Sequence, residues 1–438
     1  MFNYYLKLGI RNLRRNPILT ALMVITLAVG VAASMSTLTI LHVMSNDPIP
    51  EKSARLLVPI IDSASLSGYV PGERTERQLM NYTDTKNMMN MNIGADRTAI
   101  YSIRTYTQSS DPSLGLVNAA GIATTASYFK MFDVPFKYGS AWSVDDENKT
   151  AKVLVLSSPA SEKYFGQANP VGQTLRMGND DYQVIGVLAN WNPLPHYPNL
   201  VQGGDHFVGE DDFYVPFATA IALKLGATGD VWCSYATPKP GVEGLMDSEC
   251  VWLQFWIEAS STAQIPQIKE QLDAYVNEQR KLGRIPRHEK NELLDVNDWM
   301  EYLQIVGNDN KISTWLAFGF LALCLVNTIG LLLAKFSSRA PEVGVRRALG
   351  ASQAEIFKQF ITEAAVLGVV GGIVGLLLSC ACLWVISLQT KQMAVIAHMD
   401  GEMLIVTFVI SICASVLAGL LPTWRACQVT PAIQLKSQ

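Results

Sequence analysis

No phosphate-binding loop of the form G-x-x-x-x-G-K-[ST] occurs anywhere in these 438 residues. Where its end would fall, Gly350 is followed by Ala351 and Ser352 rather than by Lys and Ser/Thr, so the chain hydrolyses no ATP by itself. Histidine is scarce, five in all, and neither H-E-x-x-H, nor G-x-S-x-G, nor a Cys/His metal spacing is present; His288 and Glu289 adjoin without a second His. The nearest thing to a ligand set is His196, His206, Glu210, Asp211 and Asp212, which reads as a solvated loop, so no metal is expected. No acid, base and nucleophile constellation emerges, which argues against an enzyme. Repeats of 20 to 50 residues and low-complexity tracts are missing as well.

Charge is also missing from four long stretches, and these are what the chain has instead of a catalytic motif. Ile18–Leu41, Ile312–Ala334, Ala364–Leu388 and Met403–Trp424 are uncharged and apolar, each long enough for the about 20 residues that a bilayer requires. The mean hydropathy is only +0.19 because the polar stretch Ser45–Lys311 has the size of one or two folded domains. Segments 1–17, 335–363 and 425–438 hold 11 Lys/Arg against 3 Asp/Glu, whereas 45–311 holds 22 against 33. The link after the third run carries Lys391, Asp400 and Glu402. By the positive-inside rule both termini and the 335–363 loop are cytoplasmic, and the large acidic domain lies outside. Small residues Ala32 and Ala33 would suit a cleaved signal, but the run continues to Leu41, which favours a span. Residues 1–17 read as an amphipathic helix on anionic lipid, with Phe2, Leu6, Ile10 and Leu13 opposite Lys7, Arg11 and Arg14.

The expected fold class is thus an α+β membrane protein: four transmembrane helices with a large α+β domain between the first and second. Alternation places strands at Arg55–Ile61, Ile100–Thr107, Leu116–Ile122, Lys152–Leu156, Tyr182–Leu188, Asp212–Val215 and Val251–Ile257. Gly178-Asn179-Asp180-Asp181 makes a hairpin of Thr174–Met177 and Tyr182–Leu188. Helical patterns cover Ser158 to Gly166, Ile265–Lys281 and a stretch from about Asp298 that leads into the second span. Of seven cysteines only Cys233 and Cys250 fall in the exported stretch, and a disulfide between them is expected. The proline-rich tract Asn190–Leu200 is stiff and presents apolar surface, as a connector or a partner contact.

The most informative stretch is Ser337–Phe360, which joins two spans. Pro341 suits a first helical turn and Gly350 the residue past a helix end, while Ser352 and Glu355 form a capping box that starts a new helix. Glu342 and Arg346 stand one turn apart, a surface pair worth roughly 0.2–0.5 kcal/mol. In the third span Gly368 with Gly372 and Gly371 with Gly375 allow close helix contact, for dimerisation or for packing within one bundle. Asn327, inside the second span, is expected to hydrogen-bond another helix rather than to form a transport site.

Taken together these residues resemble the permease subunits of MacB/FtsX-type ABC transporters, over essentially the whole chain. Asn12–Ala32 looks like the family's entry into its first span, Val153–Leu188 is similar to its periplasmic core domain, Ser337–Ala365 is close to its most recognisable segment, and Leu421–Ser437 matches its ending. The resemblance implies a periplasmic domain at 45–311, with a porter-like part at about 45–120 and 250–311 and an inserted part at about 121–249, followed by an FtsX-like permease domain at 312–438. It implies a bacterial inner-membrane protein that pairs with a second permease copy or a paralogue. Cytoplasmic ATPase subunits would bind ATP and Mg, which this chain does not. A periplasmic adaptor and outer-membrane channel are further possible partners, and nothing points to nucleic acid. The coupling positions carried over are Glu342, Val343, Arg346, Arg347, Ala348 and Leu349, supported by Ser352 and Glu355. MacB itself carries a fused ATPase domain before its first span; this sequence begins almost directly with that span, so a separate ATPase is expected. The implied function is export of a peptide, drug, toxin or lipoprotein by mechanotransmission; the alternative is a scaffold that activates a periplasmic enzyme or senses a ligand.

Overall fold

The computed structural model describes residues 11, 16–71, 78–108, 115–201, 207, 211–235 and 237–428. The chain divides into two compact units, Asn46–Ile305 and the combined segments Met1–Ser45 and Val306–Gln438. Helix α1 (Pro17–Ser45) is followed by a unit with strands β1 (Leu56–Ile60), β2 (Met80–Asn81), β3 (Asp96–Gln108), β4 (Leu116–Thr124), β5 (Phe136–Gly139), β6 (Val153–Leu156), β7 (Thr174–Met177), β8 (Asp180–Leu188), β9 (Phe213–Pro216), β10 (Val251–Glu258) and β11 (Glu292–Leu294). Its principal helices are α2 (Tyr82–Asn90), α3 (Ser158–Phe165), α4 (Ile265–Lys281) and α5 (Val296–Tyr302). Then come α6 (Asn308–Ser337), α7 (Ala340–Ala348), α8 (Gln353–Ser387), α9 (Lys391–Ile396) and α10 (Gly401–Cys427).

One mixed sheet runs through the α+β unit in the order β11-β1-β10-β3-β4-β9-β6-β8-β5, with β2 on β10 and β7 bridging β3 and β8. Most neighbours are antiparallel, while β4/β9 and β6/β8 are parallel. Strand β10, VWLQFWIE, is buried along its whole length, the pattern of a central strand covered on both faces. Two cores flank the sheet. In one, Ile268, Leu272 and Val276 of α4 meet Leu57, Ala99, Phe255 and Ile257; the other gathers Tyr101, Leu154, Val184, Phe213 and Trp252. The 13-residue β3 contributes to both, so the sheet is continuous across the expected porter-like and inserted parts.

Two expectations change here. The tract Asn190–Leu200 turns its apolar side chains inward: Tyr197, Pro198 and Leu200 are buried, and the Trp256 indole donates to the Pro198 carbonyl at 3.0 Å. Its Tyr197 end faces the core because that ring finds partners in Phe132 and Trp256. The helix near Asp298 does not run into the second span either. Asp295 caps α5, Gln304 takes a positive φ of 52°, and α6 starts afresh after Gly307. The amphipathic helix expected at residues 1–17 lies outside the described residues except for Arg11, Asn16 and Pro17.

Four helices of the second unit, α1, α6, α8 and α10, are long and apolar enough to cross a membrane. They form a bundle in which α8 packs on α1 and α10, and α6 packs on α1 and α10. The third begins at Gln353, well before the apolar run that starts at Ala364, because the cap at Ser352 sets its origin.

Candidate functional site

Helix α7 owes its short length to the residues at its ends. Pro341 sits in the first turn, where its missing N–H costs nothing. Glu342 lies at the positive end of the helix dipole and Arg346 and Arg347 at the negative end. The helix stops at Gly350, whose φ of +99° a side chain would strain. Ser352 then caps α8 reciprocally: its hydroxyl accepts from the Glu355 amide at 3.3 Å, and its own amide donates to Glu355 Oε2 at 3.0 Å. Only Leu349 to Ser352 separates the two helices.

The inner face of α7 is anchored. Val343 is buried among Phe336, Ile356 and Phe360, with the two phenyl rings 4.3 Å apart. Arg346 donates to Glu342 at 2.6 Å and to Gln359 of α8 at 2.8 Å, and Arg347 donates to the Cys427 carbonyl at the end of α10 at 3.3 Å. Beneath them Glu363, fully buried, meets Lys335 of α6 at 2.6 Å and Arg339 at 3.0 Å. That carboxylate joins α6, the root of α7 and α8 in one ionic knot. The outer face is apolar and exposed: Leu349 is 83% and Val345 54% exposed, with Ala348 beside them. The geometry is a lever, fastened inside by charge and packing and presenting a small greasy tip.

Of the carried-over coupling positions, Val343 therefore faces the bundle and serves as an anchor, whereas Val345, not named from the sequence, shares the exposed tip with Leu349. The Glu363 knot was missed too; an acid just ahead of an apolar span was its signal. The glycines of α8 split by face. A Cβ on Gly368 or Gly372 would come within 2.8–2.9 Å of Ser415 or Ser411 of α10, and one on Gly371 or Gly375 within 2.7–3.1 Å of Leu27 or Val31 of α1. Both pairs are used inside one bundle, where Ser411 also donates to the Gly368 carbonyl at 3.0 Å. Asn327 corrects its expectation. Leu321, Cys324, Thr328 and Leu332 carry the buried face of α6, and Asn327, one residue from Thr328, is turned to the exposed face, with no bond to another helix among the described residues.

In the α+β unit Cys233 and Cys250 are bonded, beside the bridge of Trp232 to Val251. His196 and Asp211 approach to 3.7 Å, with side chains only 14% and 12% exposed. Burial pulls the imidazole down to about 4, and burial together with the neighbouring Asp212 pushes the Asp211 carboxyl up to about 7. Asp212 accepts from the Ala120 amide instead; His206 and Glu210 lie outside the described residues, among which no group of three ligands is placed to hold a metal.

The family model for a MacB-like periplasmic core domain matches residues 20–275, and that for an FtsX-like permease C-terminal domain matches 315–431. The chain belongs to the MacB/FtsX family of ABC transporter permeases. The pyoverdine export ATP-binding/permease protein PvdT of Pseudomonas aeruginosa is 27% identical over 69% of this chain and 40% of its own length. A probable syringafactin export ATP-binding/permease protein SyfD of Pseudomonas syringae pv. syringae is 24% identical over 80% and 49%, and the macrolide export ATP-binding/permease protein MacB of Bdellovibrio bacteriovorus 22% over 68% and 41%. The chain thus spans less than half the length of these relatives. The crystal structure of the periplasmic region of MacB from Actinobacillus actinomycetemcomitans aligns over 60% of this chain and 97% of its own, at 13% identity and a TM-score of 0.37. With four helices long and apolar enough to cross a membrane, this MacB/FtsX-type chain is a multi-pass membrane protein, and α7 lies in its FtsX-like part.

Proposed function

We propose that this permease is a non-catalytic subunit that converts ATP hydrolysis by a separate cytoplasmic ATPase, with its bound Mg, into motion of a periplasmic α+β unit acting on an export substrate. The observation that carries the reading is the lever itself: an exposed Val345–Leu349 tip on a helix tied by Glu363, Gln359 and Val343 to the spans behind it. A push on the tip is delivered to α6 and α8 rather than absorbed in a loose loop. The concentration of Lys and Arg in the short flanks supports α7 and both termini on the cytoplasmic side of a bacterial inner membrane, with the acidic unit in the periplasm. Two permease chains would work together, with an adaptor and outer-membrane channel beyond them. The relatives named for pyoverdine, syringafactin and macrolide export support a cargo among drugs, peptides, toxins or lipoproteins.

The experiment replaces Val345 and Leu349 with Asp in the full chain, expressed with its ATPase. A charge on each tip position removes copurification of the ATPase from membranes while leaving the chain inserted and the Cys233–Cys250 disulfide formed. Undiminished copurification and transport would refute the assignment of the tip.

A further inference from the structure

We infer that a cavity of about 330 Å³ at the start of β10 binds a compact organic cation, an ammonium group carried on an apolar or aromatic body. The site lies wholly within the α+β unit and goes beyond the coupling reading, on which it does not depend. Its volume falls at the lower end of the range that holds small ligands, about 300–1,000 Å³.

The lining separates into an apolar body and a single charge. Leu79 and Val251 are buried and form the base, and Val201, Val231 and Trp232 continue the apolar surface to the mouth. The polar lining is the Gln78 amide and the Asp230 carboxylate. Asp230 is exposed and makes no ion pair among the described residues, and neither Lys nor Arg lines the cavity. The one charge at the site is therefore negative and open to a ligand.

Two observations separate this cavity from a shallow dent in the surface. The first is the indole. Trp142, Trp252, Trp256 and Trp299 of the same unit are buried, whereas Trp232 is 44% exposed at the cavity wall, with Val231 at 41% beside it. The second is that the wall is fixed before any ligand arrives. The Trp232 amide donates to the Val251 carbonyl at 3.0 Å and the Val251 amide returns a bond to the Trp232 carbonyl at 2.9 Å. The adjoining residues, Cys233 and Cys250, are joined by the disulfide. A wall held in this way loses little freedom on binding, which favours affinity.

The chemistry selects the occupant. An ammonium beside Asp230 gains a charge-assisted hydrogen bond, and against the Trp232 face it gains the attraction of a cation for an aromatic ring. A neutral molecule of the same shape keeps only the apolar contact, and an anion meets the Asp230 charge.

The test is calorimetric titration of the full chain in lipid nanodiscs, corrected for empty discs, with phenethylammonium, 2-phenylethanol and phenylacetate, which share one body and differ in charge. Phenethylammonium is expected to saturate one site per chain about tenfold more tightly than 2-phenylethanol, and phenylacetate to give no saturable heat. Asp230→Asn brings the ammonium down to the affinity of the alcohol and leaves the alcohol unchanged, while Trp232→Leu weakens both; thiol titration verifies that the Cys233–Cys250 disulfide still forms in each variant. The inference is overturned by 2-phenylethanol or phenylacetate binding as tightly as phenethylammonium, or by an ammonium affinity unchanged in Asp230→Asn or Trp232→Leu. Saturable binding of none of the three, the result of a cavity filled by another chain or by the protein itself, overturns it as well. Each of these outcomes leaves the coupling role of Val345 and Leu349 standing, since that fails on ATPase copurification alone.

Discussion

Glu363 is the residue on which the cytoplasmic end of the bundle depends. It is sealed from solvent and answers two cations, so Glu363→Gln leaves Lys335 and Arg339 buried without their counter-charge, a change that typically costs about 3–5 kcal/mol. A lower thermal midpoint for detergent-solubilised protein, with α7 becoming protease-sensitive, is the expected result. Asp211 makes the opposite prediction in the α+β unit. Its folded carboxyl titrates near 7, above the ordinary range, so folding is penalised as pH rises from about 4 and fully so above about 7. His196, held near 4, adds its own penalty only as pH falls below about 6.5. Asp211→Asn should therefore raise stability by about 1–2 kcal/mol at pH 8, with the gain fading toward pH 4; thermal denaturation at the two pH values checks it. Glu363 did not stand out in the sequence, and His196 and Asp211 did so only as members of a tract that reads as a solvated loop. Their behaviour comes from burial and from partners 24 to 28 and 15 positions away, distances at which local pattern carries no information.

At the scale of elements, legibility followed locality. The capping box at Ser352 and Glu355, the turn at Gly178 and the strands β6 to β9 are short-range features and were readable within a few residues. Strand β5, edge strand β11 and the two-residue β2 were not, because they are short and held by partners far along the chain. Helix faces fell between these cases. The glycine spacing of α8 was plain, but which glycine meets which helix required the bundle, and Asn327, expected to bond another helix, sits on the exposed face one residue from buried Thr328. The sorted faces give a specific expectation: Gly371→Leu drives a side chain into Leu27 of α1, an overpacking worth roughly 1–3 kcal/mol. A Cβ at Gly319 would have no atom of another element within 4 Å, so Gly319→Leu is expected to leave the bundle intact. Comparing melting of the two variants in detergent distinguishes a crowded face from an open one.

For the whole molecule, the proposed function makes the α+β unit, the four apolar helices and the charged α7 parts of one transmission. The sequence already separated these parts by charge and hydropathy, since four uncharged apolar runs stand apart from the polar 45–311 stretch and the short flanks hold 11 Lys/Arg against 3 Asp/Glu. What it could not display was rigidity, which lives in Glu363, Gln359 and Val343 rather than in any motif. Rigidity is also the claim most open to measurement. With the ATPase bound in reconstituted membranes, dyes placed at Leu116→Cys of the α+β unit and Leu388→Cys at the end of α8, both well exposed, report nucleotide-driven motion by energy transfer. The account predicts a change between the nucleotide-free and vanadate-trapped states. It also predicts that the change disappears when two glycines inserted between Gly350 and Ala351 loosen the α7–α8 joint, with the ATPase still attached. An undiminished change in the insertion variant would contradict transmission through α7.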